Sequence, residues 1–579
     1  MSALVPLPVM LPLLGAALTL VLVGRPRTQR TLSVTVQGAI MLVAALLLVE
    51  SDRHGPVVVE VGGWAASTGI VLVADQLASL MLLVSAAVTL CVLLYSIGQG
   101  QAGGAETAPV TVYHPTYLVL TAGVTNAFLA GDLFNLFVGF EVLLAASYVL
   151  IMLGGSEVRV RVGATYVVVS LLSSMLFLTG VGLVYAATGT LNLAQLAGRL
   201  ADLPDGLRLA LQVMLLLAFS IKAAVFPLAA WLPDSYPSAP TPVTAVFAGL
   251  LTKVGVYAII RVETLLFPGG RAADVVLVLG LLTMLFGILG AVVQSDIKRL
   301  LSFTLVSHIG YLLFGVGLTT VRGLAAATFY VLHHITVQTA LFLAAGLVER
   351  RAGSTNLDRL GGLARAAPLL GWLFLVPALN LAGIPPMSGF LGKLGLIEAG
   401  VADRGVLAAV LVGGAVATSL LTLYAMVRVW SLAFWRDRPA DEPVVTGEPP
   451  LAAGVRSAPG MSAVASATAR SGHHPGPEPE LAEQVAPAAP HEPDQPAGGR
   501  PATDPRHTGT VRHTEVDGAE GDSSGALHPL MVGATMALVV LGVVVAVVAG
   551  PVYRIVDDAA VDLNQRSPYI EAVLGGGEP

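Results

Sequence analysis

The sequence is poor in charged residues and in cysteine, and each scarcity excludes a class of protein. Only 12% of the 579 residues are charged, whereas 55% are hydrophobic and the mean hydropathy is +0.79. A soluble globular protein carries about 25% charged residues, so this chain lacks the polar groups to cover a water-exposed surface. The single cysteine, Cys91, excludes an intrachain disulfide framework and a thiolate-ligated iron–sulfur cluster. The net charge of −6 is too small to indicate a nucleic-acid partner.

Lysine is scarce even among the few charges. Of the 31 basic residues only four are lysines, and the rest are arginines. A buried lysine can lose its proton, whereas an arginine cannot. The lysines are therefore candidates for a role that requires deprotonation: Lys222, Lys253, Lys298 and Lys393.

Long apolar runs occupy most of the chain. A helix needs about 20 apolar residues to cross the hydrocarbon core of a bilayer. The sequence therefore predicts an all-α polytopic membrane protein with about 14 transmembrane helices, at 3–23, 31–50, 75–97, 115–130, 133–153, 163–187, 207–229, 240–262, 273–293, 300–319, 322–348, 367–400, 404–434 and 529–550.

Basic residues in the loops predict the orientation of these spans. They concentrate in the first, fifth, ninth and eleventh loops, whereas the even-numbered loops hold fewer. By the positive-inside rule the odd-numbered loops face the cytoplasm, which puts both termini outside. Two odd-numbered loops, 98–114 and 230–239, contain no basic residue.

One segment, 439–527, departs from the apolar composition. It holds 14 of the 36 prolines, with 13 acidic residues and five arginines. Such a segment cannot bury enough apolar surface to fold alone, so we predict a disordered Pro/Gly/His-rich cytoplasmic loop. The irregular spacing of its histidines favours a polar linker over a metal site.

Two predicted spans combine a lysine with helix-breaking residues. Lys222 precedes Pro227 in the seventh span, and Gly383-Ile384-Pro385-Pro386 precedes Lys393 in the twelfth. Proline frees backbone groups that lipid cannot satisfy, so such breaks must line a protein or water-filled interior. Broken helices five spans apart indicate two inverted five-helix repeats, spans 4–8 and 9–13. The predicted domains are the N-terminal helices (1–114), the first repeat (115–265), the second repeat (266–438), the loop (439–527), and the last transmembrane helix and tail (528–579).

Ionisable residues at membrane depth are costly and are functional candidates. Glu141 lies in an apolar run, where a lone carboxylate would bind a proton unless an ammonium group stood nearby. Lys222 is the obvious partner, and a proton that reached one side chain would then affect the other. The alternative is a static ion pair that only fixes helix packing. The helix break beside Lys222 favours the functional interpretation.

The other two lysines within spans have no carboxylate close in sequence, except that Glu398 is a possible neighbour of Lys393. Burial favours the neutral form of an unpaired lysine, so Lys253 and Lys393 are candidate proton carriers. The alternative for Lys253 is snorkelling to the membrane surface, which its mid-span position disfavours.

Three histidines within spans, His308, His333 and His334, are candidate relay members, because histidine titrates near neutrality. Their alternative is a hydrogen-bonded packing role. Asp75, near the start of the third span, is a possible functional residue that could equally cap its helix.

The motifs resemble the antiporter-like membrane subunits shared by respiratory complex I and the Mrp-type Na⁺/H⁺ antiporters. The similarity covers about 117–428 and rests on Phe-Glu141, on Lys222 before Pro227, on Lys253-x-Gly255-x-Tyr257, and on Gly383-Ile384-Pro385-Pro386-x-Ser388-Gly389-Phe390 with Lys393. Within the family, Gly62-Gly63-Trp64, the run from Gly69 to Asp75 and the run from Gly131 to Phe137 are similar to the Mrp-type members.

The resemblance implies fourteen helices with two inverted repeats, and a proton relay through Glu141, Lys222, Lys253 and Lys393, with His308, His333 and His334 between them. It implies a multi-pass subunit of a hetero-oligomeric antiporter in a bacterial cell membrane, with protons and Na⁺ as substrates. The chain departs from the family at Gln338, where many relatives have lysine, and in the loop 439–527.

Three other functions stay open. The first is a proton-pumping subunit of NADH-quinone oxidoreductase, of the N or M type. The second is a non-conducting scaffold subunit, which the titratable residues at helix breaks disfavour. The third, a quinone enzyme, finds no redox ligand in the sequence. No phosphate-binding loop or dinucleotide fingerprint is present, so we expect a secondary transporter subunit without cofactor or metal rather than an enzyme.

Overall fold

The computed structural model describes residues 1–66, 68–100, 110–155, 157–270, 272–439 and 527–575. The predicted disordered loop therefore lies outside the described residues, apart from its first and last positions. The elements run in the order α1 (Leu7–Val21), α2 (Pro26–His54), β1 (Val57–Glu60), β2 (Val71–Ala74), α3 (Gln76–Gln99), α4 (Val110–Leu129), α5 (Leu133–Met152), α6 (Glu157–Thr188), α7 (Leu193–Arg199), α8 (Asp205–Ala223), α9 (Trp231–Ser235), α10 (Thr241–Val246), α11 (Thr252–Arg261), α12 (Ala273–Val293), α13 (Ile297–Gly317), α14 (Val321–Ala352), α15 (Leu363–Ala366), α16 (Pro368–Ala382), α17 (Ser388–Asp403), α18 (Val406–Val429), α19 (Pro529–Val547), α20 (Ala549–Gln565) and α21 (Ser567–Leu574).

Twelve helices of the described residues are long and apolar enough to cross a membrane. This confirms the prediction of a largely helical polytopic membrane protein, whereas the count of fourteen stays a prediction. The predicted fourth span is α4, and the predicted twelfth span is divided between α16 and α17. The short antiparallel hairpin β1–β2 was not expected from the sequence.

Both predicted helix breaks are present. After α8, Ala224 adopts the left-handed conformation with φ of 58°, and after α16, Gly383 does so with φ of 88°. At the first break, the Phe226 amide donates to Thr283 Oγ1 at 3.1 Å, and the Trp231 indole donates to the Ile221 carbonyl at 3.2 Å. The backbone groups that the break frees are thus satisfied inside the bundle, as a membrane protein requires.

Two segments of the chain repeat the same backbone contact. Asp132 forms an isolated antiparallel bridge with Asn192, and Asp296 forms one with Asn356. Each residue of the second pair follows its counterpart by 164 positions (132 to 296 and 192 to 356). Asp132 and Asp296 also cap the helices that follow them, α5 and α13, by accepting a backbone amide hydrogen bond.

The same spacing recurs where helices approach closely. Gly123 of α4 lies against the backbone of Leu143, and Gly287 of α12 lies against the backbone of Ser307, again 164 positions later. A duplicated helical unit would produce this correspondence. The inverted arrangement of the two repeats and the boundaries of the five predicted domains stay predictions.

The N-terminus, the hairpin and the C-terminal helices meet at one face of the bundle. Ser2, Pro6, Val58 and Val573 line a common surface recess there. The predicted tail contains the helices α20 and α21. Helix α20 packs against α3 and α14, and α21 packs against α7. The basic residues Lys298, Arg350 and Arg351 lie where α13 begins and α14 ends. This is the end of those helices that is away from the N-terminus, the hairpin and the C-terminal helices.

We predict that Gly287→Ala destabilises the bundle. A Cβ atom at this position would lie 2.2 Å from the backbone nitrogen of Ser307, so α12 and α13 would have to separate. Overpacking of this kind costs about 1–3 kcal/mol, which should lower the melting temperature in detergent. Gly413→Ala is the control, because nothing lies within 4 Å of the added atom. Equal melting temperatures for the two variants would contradict the prediction.

Candidate functional site

The predicted pair Glu141 and Lys222 is joined through a third residue. Ser174 of α6 donates its hydroxyl hydrogen to Glu141 Oε1 and accepts a hydrogen bond from Lys222 Nζ at 3.1 Å. The Lys222 ammonium also lies over the ring of Phe140, 4.9 Å from the ring centroid. Lys222 is 8% exposed and Glu141 is partly exposed. The carboxylate and the ammonium therefore interact through a hydroxyl rather than by direct contact.

The position of Lys222 follows from the break in its helix. Lys222 is two residues before Ala224, where α8 ends, so its side chain reaches between α5 and α6. A cavity of about 20 Å³ adjoins it, lined by Ser170, Ser173 and Trp231 among others. A cavity of this size can hold a water molecule.

Lys253 is completely buried and depends on an irregular turn. Its Nζ donates to the carbonyl oxygen of Ala248 at 2.6 Å. Ala248 lies in a widened π-helical turn, Phe247–Leu251, between α10 and α11. A π-turn changes the helix hydrogen-bond pattern and is frequent at functional sites. Close packing of α11 on α8 brings Gly255, near Lys253, to the backbone of Ala223, next to Lys222.

Two of the three histidines, His308 and His334, form a stack between Lys253 and Lys393. The rings of His308 and His334 are parallel within 19°, with centroids 5.1 Å apart. His308 Nδ1 is hydrogen-bonded to the hydroxyl of Tyr330 at 2.6 Å. His308 Nε2 and both ring nitrogens of His334 make no hydrogen bond of normal distance and angle with the described protein atoms, although the side chain of Gln338 lies beside His334. These nitrogens are available to exchange protons with each other or with water.

His333 points elsewhere, as neighbours on one helix do. Its Nδ1 is hydrogen-bonded at 3.0 Å to the hydroxyl of Ser388, the first residue of α17. Ser388 donates in turn to Asn380 Oδ1 of α16 at 3.2 Å. His333 therefore contacts the second helix break, while His334 contacts His308.

Lys393 closes the second break. Its Nζ donates to the carbonyl oxygens of Leu381 and Ala382, each at 3.0 Å, and to Ser419 Oγ at 3.1 Å. A cation at the carboxyl end of α16 is favoured by the helix dipole. Glu398 is exposed and is absent from the described contacts of Lys393. The structure therefore does not bring this predicted neighbour to the amine.

The described hydrogen bonds and ion pair of Asp75 involve none of these lysines and histidines. It caps α3 and forms a 2.5 Å ion pair with Arg261, which is 4% exposed. The Arg261 guanidinium lies 5.3 and 5.2 Å from the ring centroids of Tyr257 and Tyr569, and its Nε donates to the Tyr257 hydroxyl at 3.0 Å. Burial raises the pKa of Tyr569, so its hydroxyl stays neutral. This cluster fastens the C-terminal helices to the bundle.

Three polar or charged residues of the bundle interior were not predicted from the sequence as members of a site. Arg261 and Glu263 lie at the end of the span Thr241–Leu266, and Glu263 accepts hydrogen bonds from Gln212 at 2.9 and 3.1 Å. Arg261 already lies within the predicted span 240–262, and Glu263 lies one position beyond its end. Ser174 gives no such signal, because serine is common in membrane helices.

A helical bundle whose interior carries lysines and histidines at helix breaks defines a polytopic membrane protein of the class that includes ion transporters.

Comparison with known proteins leads to the same class of membrane protein. The family model for NADH:quinone oxidoreductase/Mrp antiporter transmembrane subunits matches residues 130–422. The D subunit of the Na⁺/H⁺ antiporter of Alkalihalophilus pseudofirmus is 42% identical over 441 residues, 76% of this chain and 88% of the relative. The D subunit of the Bacillus subtilis Na⁺/H⁺ antiporter is 39% identical over 438 residues, 75% of this chain and 87% of the relative.

Solved structures share the fold as well. A chain of the Mrp complex from a Dietzia species matches with a TM-score of 0.81 and 33% identity, over 99% of this chain and 100% of that one. A chain of the membrane-bound sulfane sulfur reductase, an archaeal respiratory membrane complex, matches with a TM-score of 0.77 and the same coverage. At 23% sequence identity, this second match shows a similarity of fold only. This chain belongs to the NADH:quinone oxidoreductase/Mrp antiporter family of membrane subunits.

We predict that Asp75 acts through its ion pair rather than through proton transfer. Arg261→Gln should destabilise the protein by about 3–5 kcal/mol, because it leaves a buried carboxylate unpaired. The double variant Asp75→Asn with Arg261→Gln should regain most of that stability and retain transport. Melting temperature and antiport rate of the assembled complex measure both effects. Loss of antiport in a stable double variant would contradict this assignment and return Asp75 to the relay.

Proposed function

We propose that this chain is a D-type membrane subunit of a multi-subunit Na⁺/H⁺ antiporter and relays protons through its interior. One observation carries the proposal: Lys222, buried at a helix break, is linked through Ser174 to the carboxylate of Glu141. A lysine can release its proton, and a nearby carboxylate makes that release depend on its own charge. The relatives, which are D subunits of Na⁺/H⁺ antiporters, support the antiporter assignment.

The proposed relay runs along contacts between neighbouring helices. A proton enters near Lys253, moves to the Lys222–Glu141 pair, and affects His308, His334 and Lys393 in turn. In a low-dielectric interior, a change of charge at one site alters the free energy of protonation at the next. The histidine stack lies within the second repeat, where it would link Lys253 of the first repeat to Lys393, and the Ser388–His333 contact would lead to the second break.

The chain would work in a bacterial cell membrane beside other antiporter subunits. By the positive-inside rule, the end of the bundle with Lys298, Arg350 and Arg351 faces the cytoplasm, and both termini lie outside. The relatives are antiporter subunits, and the Dietzia structure is of an Mrp complex, which supports hetero-oligomeric assembly. The cation would cross in this subunit or in a partner, and the chain itself would carry out no redox chemistry.

The proposal predicts that Lys222→Ala abolishes antiport in an assembled complex. Everted membrane vesicles from an antiporter-deficient bacterium expressing the whole gene cluster report sodium-induced collapse of ΔpH. Removing the amine removes a step of the relay, so the collapse should fall by roughly 100-fold or more, the usual scale for a positioned proton-transfer group.

The matched control is Arg299→Ala, which removes a half-exposed cation that pairs with Asp234. It should transport at the wild-type rate. Native gel electrophoresis checks assembly of both variants. Wild-type transport in assembled Lys222→Ala would contradict the relay and favour a scaffold role.

A second prediction concerns the histidine stack. His334→Phe keeps an aromatic ring against His308 but removes both ring nitrogens of His334. If protons pass from Lys253 towards Lys393 at this ring, antiport should fall at least about tenfold while assembly is kept. A fully active His334→Phe complex would show that the stack only packs α13 against α14.

A further inference from the structure

Ser174 occupies a singular position on α6. It is 5% exposed and stands between α5, which carries Glu141, and α8, which carries Lys222. Its hydroxyl hydrogen points to the carboxylate, and its oxygen accepts from the ammonium. A hydroxyl is both donor and acceptor, so it can pass a proton without a net change of its own state.

The second helix break contains a similar serine with a different acceptor. Lys393 donates to Ser419 Oγ at 3.1 Å, the same distance as between Lys222 and Ser174. The Ser419 hydroxyl, however, donates to the backbone carbonyl of Ala382 at 2.7 Å. A carbonyl oxygen cannot take up a proton at any physiological pH, whereas a carboxylate can. Of these two hydroxyls, therefore, only the one at the first break ends on a titratable group.

We propose that Ser174 is the proton bridge between Lys222 and Glu141, an inference that rests on the proposed function. The Lys222 ammonium gives one proton to the Ser174 oxygen while the Ser174 hydroxyl gives its own proton to Glu141. The step converts ammonium, hydroxyl and carboxylate into neutral amine, hydroxyl and carboxylic acid. No proton is gained or lost overall, and Ser174 only exchanges the hydrogen that it carries.

The surroundings fit a reversible step. Conversion of an ion pair to a neutral pair is reasonable in an interior that penalises charge. The cavity beside Lys222 is large enough for a water molecule and is also lined by Ser170. Such a water can return a proton to the neutral amine, and loss of the proton that Glu141 received then restores the original ion pair. Ser173 itself donates to the carbonyl of Ala218 at 2.9 Å and serves the packing of α6 on α8.

The test compares Ser174→Ala, Ser174→Thr and Ser173→Ala in the assembled antiporter complex. Sodium-induced ΔpH collapse is measured in everted vesicles over a series of pH values. Ser174→Ala removes the bridge, so antiport should fall roughly tenfold or more, and the pH dependence of the rate should change because Lys222 and Glu141 no longer share a hydroxyl. Ser174→Thr keeps a hydroxyl and should restore both. Ser173→Ala loses a hydroxyl of the same helix but should keep the wild-type pH profile.

The outcomes distinguish a proton bridge at Ser174 from a relay without that bridge and from a packing role of Ser174. If Ser174→Ala transports at the wild-type rate and pH profile while Lys222→Ala is inactive, the bridge is overturned and the relay stands. If Lys222→Ala is active too, the proposed function fails with it. If Ser174→Ala and Ser173→Ala lower the rate equally at every pH, Ser174 only packs the helix, which also overturns the bridge. Should Ser174→Thr fail to assemble, the comparison of the two alanine variants still decides.

Discussion

An ammonium group buried in an apolar bundle needs oxygen acceptors, and much of this interior is arranged around that need. Desolvation of a charge costs several kcal/mol unless hydrogen bonds offset it. A regular helix has no carbonyl groups to spare, but a broken or widened helix does. Lys393 takes the carbonyls that end α16, and Lys253 takes one from the widened turn Phe247–Leu251. Each irregularity would be costly in lipid alone, so the lysines and the irregular turns stabilise each other.

The three lysines nevertheless differ in whether a change in their protonation would affect a second titratable group. Lys253 and Lys393 are held chiefly by backbone carbonyls, which keep their chemical state. Lys222 is held by a hydroxyl that leads to a carboxylate, so its charge is coupled to a second titratable group. The first break is therefore the place where one proton can move between two side chains. The second break can respond to charge, but the described contacts there offer no carboxylate to receive the proton.

The sequence predicted the helix breaks and the buried lysines Lys222, Lys253 and Lys393 well, because each depends on a local signal. Proline and glycine beside Lys222 and Lys393 mark the breaks, and charges in apolar runs are rare enough to single out. Contacts between distant residues gave no such signal. Ser174 joins residues 33 and 48 positions away, and its importance comes from what it touches. Arg261 is satisfied by Asp75 and by Tyr569 from α21, a segment that the sequence indicated only as a tail.

The central claim is that Lys222 must lose its proton during transport, and Lys222→Arg tests it most directly. Arginine keeps the positive charge and can donate to Ser174, and the adjacent cavity offers room for the larger head group. It remains protonated in proteins, however. The measurement is the rate of sodium-induced ΔpH collapse by the assembled complex. The account predicts that this rate is lost in Lys222→Arg, as in a variant without any amine. Wild-type transport by the arginine variant would contradict it, because a fixed charge at this position would then suffice.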